Sequence, residues 1–304
     1  MVKVIKSGFY STIQDLGRSR FQKYGVPVSG VMDFYSAKLA NALLDNNESD
    51  AVLEITMTGP TLQFNCDTIM CVSGADISSI LNNKPIKLNS IVNIKKDDIL
   101  SFGKLKYGFR CYLAVFGGFQ TEMIMNSRSM YKVITSQNVL FVNDELSISE
   151  HINSIIKSNA SIKVNTAYFS SKEIKVYKGP EFDLLTKAQQ QQLLSKEFTI
   201  SKDNNRMAYQ LVEPLKNNLK PIITSLVLPG TVQLTPSGKL IILMRDCQTT
   251  GGYPRVLQLK ESSINVLSQK FTGNNIRFKI KEKNIIISTI FYMFFYISRN
   301  IKLT

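Results

Sequence analysis

Residues 230–254 read GTVQLTPSGKLIILMRDCQTTGGYP, and this stretch decides the fold class. Two short runs rich in β-branched and aliphatic residues, Thr231–Leu234 and Leu240–Met244, are separated by Pro236 and Gly238. Neither run is long enough for a buried helix, and the punctuation is that of strands joined by turns. The same rhythm holds outward in both directions. Val2–Ile5, Ala51–Thr56, Thr61–Phe64, Ile69–Ser73, Ile91–Ile94, Ile99–Phe102 and Arg110–Phe116 read as strands before it. Ile174–Tyr177, Met207–Leu211, Val256–Leu259 and Ile276–Ile280 complete the set. The chain is therefore mainly β.

Two helices interrupt the strands. Asp33 is a candidate N-cap, and Tyr35, Leu39, Ala42 and Leu43 fall on one stripe that ends at Asp45-Asn46-Asn47. A second helix is expected over about Phe182–Leu194, with Leu184, Leu185, Ala188 and Gln192 along one side. Residues 145–172 are polar and weakly patterned, so the expected division is a β lobe at 1–150, a linker at 151–172 and a β lobe at 173–280. GPTLQF at 59–64 and PGTVQL at 229–234 echo each other, each with an Asp thirteen residues past its Gln (Asp76, Asp246); duplication and chance both fit. The tail at 285–297 is almost continuously apolar but shorter than a membrane span, and packing on the body is expected.

Composition excludes several functions. The formal charge of +14 among 304 residues is carried mostly by scattered lysines, without the basic strip of a nucleic-acid binder; an anionic substrate or acidic partner accounts for it as well. His151 is the one histidine, which argues against Ser-His or Cys-His catalysis and against zinc. Four cysteines form no CxxC pair, and the N-terminus lacks a signal-peptide core, so a reducing, cytoplasmic setting is expected. There is no GxxxxGK[ST] loop for ATP, no GxGxxG, and no Met-Lys-Met biotin attachment site.

Arginine is scarce, and several arginines stand inside polar, glycine-bearing clusters, where a planar fork suits a carboxylate. The first cluster is Gln14, Asp15 and Arg18, followed by Met32 and Asp33. Asp15 fits either a general base or a residue that fixes Arg18 and its loop. The second joins Gln233, Arg245 and Asp246 to Thr249, Thr250, Gly251, Gly252 and Tyr253. Hydroxyls beside two glycines can converge with backbone N–H groups on an oxyanion, or simply make a turn between strands. Arg128 and Arg206 sit in two further polar segments. The candidate catalytic set is Asp15, Thr249, Thr250 and Tyr253. The candidate substrate-binding set is Gln14, Arg18, Met32, Asp33, Arg128, Arg206, Gln233, Arg245, Asp246, Gly251 and Gly252.

In order along the chain, QDLGR (14–18), GVPVSGVMD (25–33), LEITMTGPTLQF (53–64), SGAD (73–76), GFRCYLAVFGG (108–118), SRSMY (127–131), GPEFD (179–183), NRMAY (205–209) and residues 230–254 resemble the biotin-dependent carboxyltransferase / allophanate hydrolase subunit 2 family. The resemblance implies a two-lobed, cyclophilin-like β-barrel architecture and a subunit that is active only in a complex. For a stand-alone chain of this length it implies an ATP-dependent 5-oxoprolinase, which opens 5-oxo-L-proline to glutamate with subunits B and A and with ATP and Mg supplied to the whole complex. It leaves open a regulatory antagonist of a Kip-type kinase inhibitor and a carboxyltransferase component of a urea/allophanate-type system. The sequence departs from the family after Tyr131, where a glycine-rich stretch is replaced by Val133-Ile134-Thr135-Ser136-Gln137-Asn138-Val139. It departs again at Asn126, commonly Gly, and at Gln210, commonly Arg.

Overall fold

A computed structural model describes residues 1–151 and 164–281. The expectation for the apolar tail at 285–297 lies outside the described residues.

The first lobe is two antiparallel sheets packed face to face. One orders Glu145–Leu146, Val2–Lys6, Thr61–Phe64, Ile99–Phe102, Ser79–Leu81 and Lys84–Pro85. The other orders Tyr10–Gln14, Val52–Thr56, Tyr107–Val115, Thr68–Asp76 and Ile91–Ile94. Successive side chains on a strand point to opposite faces. Thus Leu53, Ile55, Met70, Val72, Leu113 and Val115 meet Val2, Val4, Leu62 and Phe64 of the first sheet. Their alternates, Val52, Ile69, Cys71, Tyr112 and Ala114, pack on the other side against helix α1 (Phe34–Leu43). Burial on both faces explains the unbroken apolar runs in these strands.

Asp33 caps α1 as expected, accepting from the Ser36 N–H at 3.2 Å. The buried face is a correction: it is formed by Ser36, Ala37, Leu39, Ala40 and Asn41, while Ala42 is exposed. The helix seats small residues because it lies close on the sheet. It stops where Asp45 turns left-handed and the Asn46 amide donates to the Val115 carbonyl at 2.8 Å.

The second lobe is a closed seven-stranded barrel: Glu173–Lys178, Arg255–Leu259, Thr231–Leu234, Leu240–Leu243, Ala208–Leu211, Phe198–Asn204 and Asn275–Ile280. The last strand returns parallel to the first, Ile174 opposite Phe278, and antiparallel to Phe198–Asn204. Val232, Leu234, Leu240, Ile242, Tyr209 and Phe278 belong to its buried core. Among the described residues only this lobe closes into a barrel; the strands of the first form two sheets.

The expected second helix is also corrected. A short 3₁₀ turn, Phe182–Leu184, is separated from α2 (Lys187–Ser195) by Leu185 and Thr186 in extended backbone. Thr186 and Gln189 form a reciprocal capping box, an N-terminus signal inside the expected span. Of the α2 residues only Leu193 is buried; Ala188, Gln192 and Leu184 are exposed. A third helix, α3 (Glu261–Ser268), and the strands Tyr10–Gln14 and Phe198–Asn204 were not expected. Among the described residues no helix is long and apolar enough to cross a membrane.

The lobes are joined by buried polar contacts. Gln269, just past α3, accepts from the Phe109 and Arg110 N–H groups at 2.9 Å each. Its amide nitrogen donates to Asp33 at 2.8 Å and to the Arg110 carbonyl at 3.0 Å.

Candidate functional site

The site begins with charges in strands that otherwise bury apolar side chains. Glu54 lies mid-strand in VLEIT and Arg110 in the neighbouring strand YGFRCYLAV. Both are almost wholly buried, at 1% and 2% exposure. A buried charge is tolerated only when paired and hydrogen-bonded. The partner arrives from the barrel: Arg206, in the turn between Phe198–Asn204 and Ala208–Leu211, crosses to the first lobe. Its guanidinium makes a two-pronged contact with Asp246 (Nε to Oδ2 2.8 Å, Nη2 to Oδ1 3.1 Å). It also donates to Glu54, to the Gly30 carbonyl at 2.7 Å and to Gln14 at 3.2 Å. Glu54's other oxygen accepts from the Met32 N–H at 2.7 Å and the Tyr112 hydroxyl at 2.9 Å. Arg110 donates to the Tyr209 hydroxyl at 2.7 Å and the Ser268 carbonyl at 2.5 Å, with Nε 3.8 Å from Glu54. Two guanidinium groups thus balance two carboxylates. The surrounding carboxylates hold Arg206 firmly protonated, although burial opposes its charge.

Above this floor lies a cavity of about 510 Å³ between the lobes. Arg110, Arg206 and Asp246 form its base, with Tyr10, Phe109 and Tyr131 on its walls. Burial raises the Tyr10 hydroxyl above the ordinary phenol range, so it stays a neutral donor at pH 7. Lys132 and Asn138 place the altered 131–139 segment on the cavity wall. In that segment Val133 is 90% exposed at φ 77°, a backbone state suited to glycine. Asn126, at the other commonly glycine position, has φ 59°, which asparagine tolerates better.

A second cavity, about 540 Å³, shares Asn204, Asn205 and Met207 with the first and opens along the outside of the barrel. Gln210, Gln233, Gln248 and Tyr253 line it. Thr250–Gly251 pairs with Ser225–Leu226, and the Gly252 carbonyl accepts from Ile222 at 2.9 Å. The double glycine is therefore part of a strand pair that holds the 222–227 strap. Thr249 lies beside it half-buried, and Thr250 is exposed.

The remaining sequence candidates are placed elsewhere. Asp15 accepts from the Gly17 N–H at 2.8 Å, the Ser127 and Ser129 hydroxyls at 2.7 Å each and the Arg128 N–H at 2.6 Å. Four donors pin the 127–129 segment to the QDLGR turn. The anticipated Asp15–Arg18 pair does not form: Arg18 is fully buried and donates to the Ser129 carbonyl. Arg128 donates to the Thr121 carbonyl and, with Asp15 and Asn126, lines a separate cavity of about 360 Å³. Gln14 is a buried strand residue, not part of a loop. Met32 plugs the barrel core, so only its backbone meets the site. Asp33 is a buried cap ringed by Ser36, Tyr168 and Gln269. Arg245 pairs with Glu261 and stacks over Phe34, 3.8 Å from the ring centroid. The structure thus brings together Arg206, Asp246 and Gln14, which the sequence offers in three separate clusters, and adds Glu54 and Arg110, which sequence reasoning missed. The signal was there: opposite charges buried in apolar runs on paired strands, with Glu54 opposite Tyr112 and Thr56 opposite Arg110. The echo does not extend to the contacts: Asp76 accepts from the Ser78 N–H and meets Lys106, whereas Asp246 meets Arg206.

Residues 24–280 match the sequence profile of the carboxyltransferase domain, subdomains A and B. The chain belongs to the carboxyltransferase domain family. Within this family it is 29% identical over 284 residues to the C subunit of 5-oxoprolinase from Escherichia coli, covering 91% of this chain and 90% of that protein. The corresponding 5-oxoprolinase protein of Haemophilus influenzae is also 29% identical, over 287 residues. Among solved structures, the Kluyveromyces lactis urea carboxylase superposes with a TM-score of 0.81 at 26% identity. That match covers 92% of this chain but only 27% of the carboxylase, so the present chain corresponds to one part of a larger protein. A superposition of that extent takes in both the pair of sheets and the barrel.

Proposed function

We propose that this chain is a subunit of a 5-oxoprolinase, acting with companion subunits B and A to open the lactam of 5-oxo-L-proline to L-glutamate. The observation that carries this is end-to-end similarity: the two 5-oxoprolinase relatives align over 91% and 92% of this chain and nearly all of their own length. The cleft suits the role. Its base is a charge-balanced array fixed by buried hydrogen bonds, which presents an oriented field to a polar amide without rearranging. Lys132 at the wall offers a cation for the substrate carboxylate.

ATP with its Mg belongs to the complex in this reading. Both arginines at the cleft base are already committed to protein acceptors, so the cleft alone is poorly suited to a triphosphate. Among the described residues no group of three His, Cys, Asp or Glu side chains is placed to hold a metal. When bound, ATP would supply the driving force for lactam opening; this chain would bind and orient the amide.

The test is ATP-dependent glutamate release from 5-oxoproline by the co-expressed subunits, with and without this chain. Release that depends on it is expected. A fully assembled complex that releases none would refute the proposal. A carboxyltransferase role has support of its own: 37% identity over 152 residues to the urea amidolyase of Lachancea kluyveri, although these are only 8% of that protein. It predicts transfer of labelled carboxyl from carboxybiotin to an amide acceptor instead.

A further inference from the structure

The second cavity contains two glutamines that the fold leaves unsatisfied. Gln233 is 2% exposed, and its amide nitrogen has no hydrogen-bond partner among the described residues. The Gln248 side-chain oxygen is likewise buried without a partner. Each such atom costs stability comparable to a lost hydrogen bond, so a pair lining one cavity calls for an explanation. Gln233 is held there by the double glycine: a β-carbon on Gly251 would collide with its amide nitrogen. Gly251 is thus required less for backbone freedom than for the room that this amide occupies.

From this pairing we infer that the Gln233–Gln248 cavity is a subsite for the amide edge of the substrate. A primary amide carries a donor and an acceptor side by side. As placed, both atoms are shut off from the cavity; the last torsion of glutamine is soft, and each amide meets a ligand by turning its edge toward it. Their complement is a group whose N–H and C=O lie on one edge, as in a lactam or in urea, and not an extended peptide, whose N–H and C=O point apart. Gln233 donates to the ligand carbonyl, and Gln248 accepts from its N–H. The cavity communicates with the interlobe cleft through Asn204, Asn205 and Met207, so an amide held here stands beside the charged base. The subsite rests on the oxoprolinase reading for its substrate, but its recognition chemistry can be tested apart from it.

The probes are 2-pyrrolidinone, N-methyl-2-pyrrolidinone and urea, titrated into the full chain by ligand-observed NMR. The lactam should bind about tenfold or more tightly than its N-methyl analogue, which leaves Gln248 unsatisfied. Gln233→Met and Gln248→Met should each weaken 2-pyrrolidinone about tenfold. Gly251→Ala should act like Gln233→Met by displacing the amide. Urea competing with the lactam, with the same dependence on both glutamines, supports the shared amide-edge chemistry. Equal affinity for the two lactams, or affinity unmoved by Gln248→Met, overturns the inference. Gln248 is only half-buried, so this variant carries the test even if Gln233→Met folds poorly. Glutamate release by the assembled enzyme without this binding pattern overturns the subsite and leaves the functional reading. The binding pattern without glutamate release does the reverse.

Discussion

Replacing Arg206 with methionine tests the central feature of the molecule. Arg206 makes five hydrogen bonds, to Asp246 twice, Glu54, Gly30 and Gln14, while 5% exposed. Methionine keeps the length and apolar stem but leaves Glu54 and Asp246 buried with one cation, Arg110, whose Nε is 3.8 Å from Glu54. Removing one partner of a buried ion pair costs about 3–5 kcal/mol, mostly from stranding the other charge. Domain stabilities are about 5–15 kcal/mol, so the loss is a large share of the total. Urea unfolding of the full chain should show it as a lower midpoint with little change in slope. Arg206→Lys should lose nearly as much, because an ammonium cannot grip Asp246 with two prongs and reach Glu54. Combining Arg206→Met with Glu54→Gln should cost less than the two singly, since the second change removes a stranded charge. A loss below about 1 kcal/mol for Arg206→Met, or strict additivity in the double variant, would refute the view that this array locks the lobes together.

Other consequences can be checked as directly. Val133→Gly should stabilise the chain by about 1 kcal/mol, because relief of the left-handed strain exceeds the glycine entropy cost; a lower melting temperature would contradict the backbone assignment. Burial pushes the Cys71 and Cys247 thiols up to about 12 and raises Cys111 as well, so at pH 8 iodoacetamide should label Cys66 alone in the native protein. Mass spectrometry showing any of the other three modified before unfolding would disprove it. Glu181 is held below the ordinary carboxyl range chiefly by its hydrogen bond from Arg255. A depressed folded pKa gives stability that is complete above the unfolded value, about 4.3, and lost as pH falls through the folded one. Wild type should therefore exceed Glu181→Gln by a constant margin at neutral pH, and the margin should shrink below about pH 4. A margin unchanged down to pH 2 would show that the pair does not titrate.

How far the sequence reveals this molecule depends on what each residue must satisfy. Strands at 61–64, 91–94, 99–102 and 231–234 were legible to the residue because apolar content and turn signals agree there. Tyr10–Gln14 was not, since it buries Ser11, Thr12 and Gln14, and buried hydroxyls look like a loop. Helix α3 is only eight residues long, has two serines in its first turn and lacks a side-chain N-cap, so its sequence carries no start signal. In the site, scarcity made the arginines conspicuous. Nothing local says that Arg206 meets Glu54 across 152 positions, that Arg18 reaches the Ser129 carbonyl or that Arg245 pairs with Glu261. Gln248 escaped notice because an unsatisfied amide is a property of the packed structure only.

The barrel's closing strand is also the last of its strands to be made. Asn275–Ile280 pairs with Glu173–Lys178 on one side and Phe198–Asn204 on the other. A ribosome adding about 5–20 residues per second reaches it roughly 5–20 s after the first barrel strand. Through that interval the nascent lobe holds two raw edges, each ready to pair with any extended chain nearby. In the first lobe Val2–Lys6 likewise waits for Glu145–Leu146, but all of its described strands are made before Glu173 begins the barrel. The chain is therefore born with one half settled and the other in need of shelter.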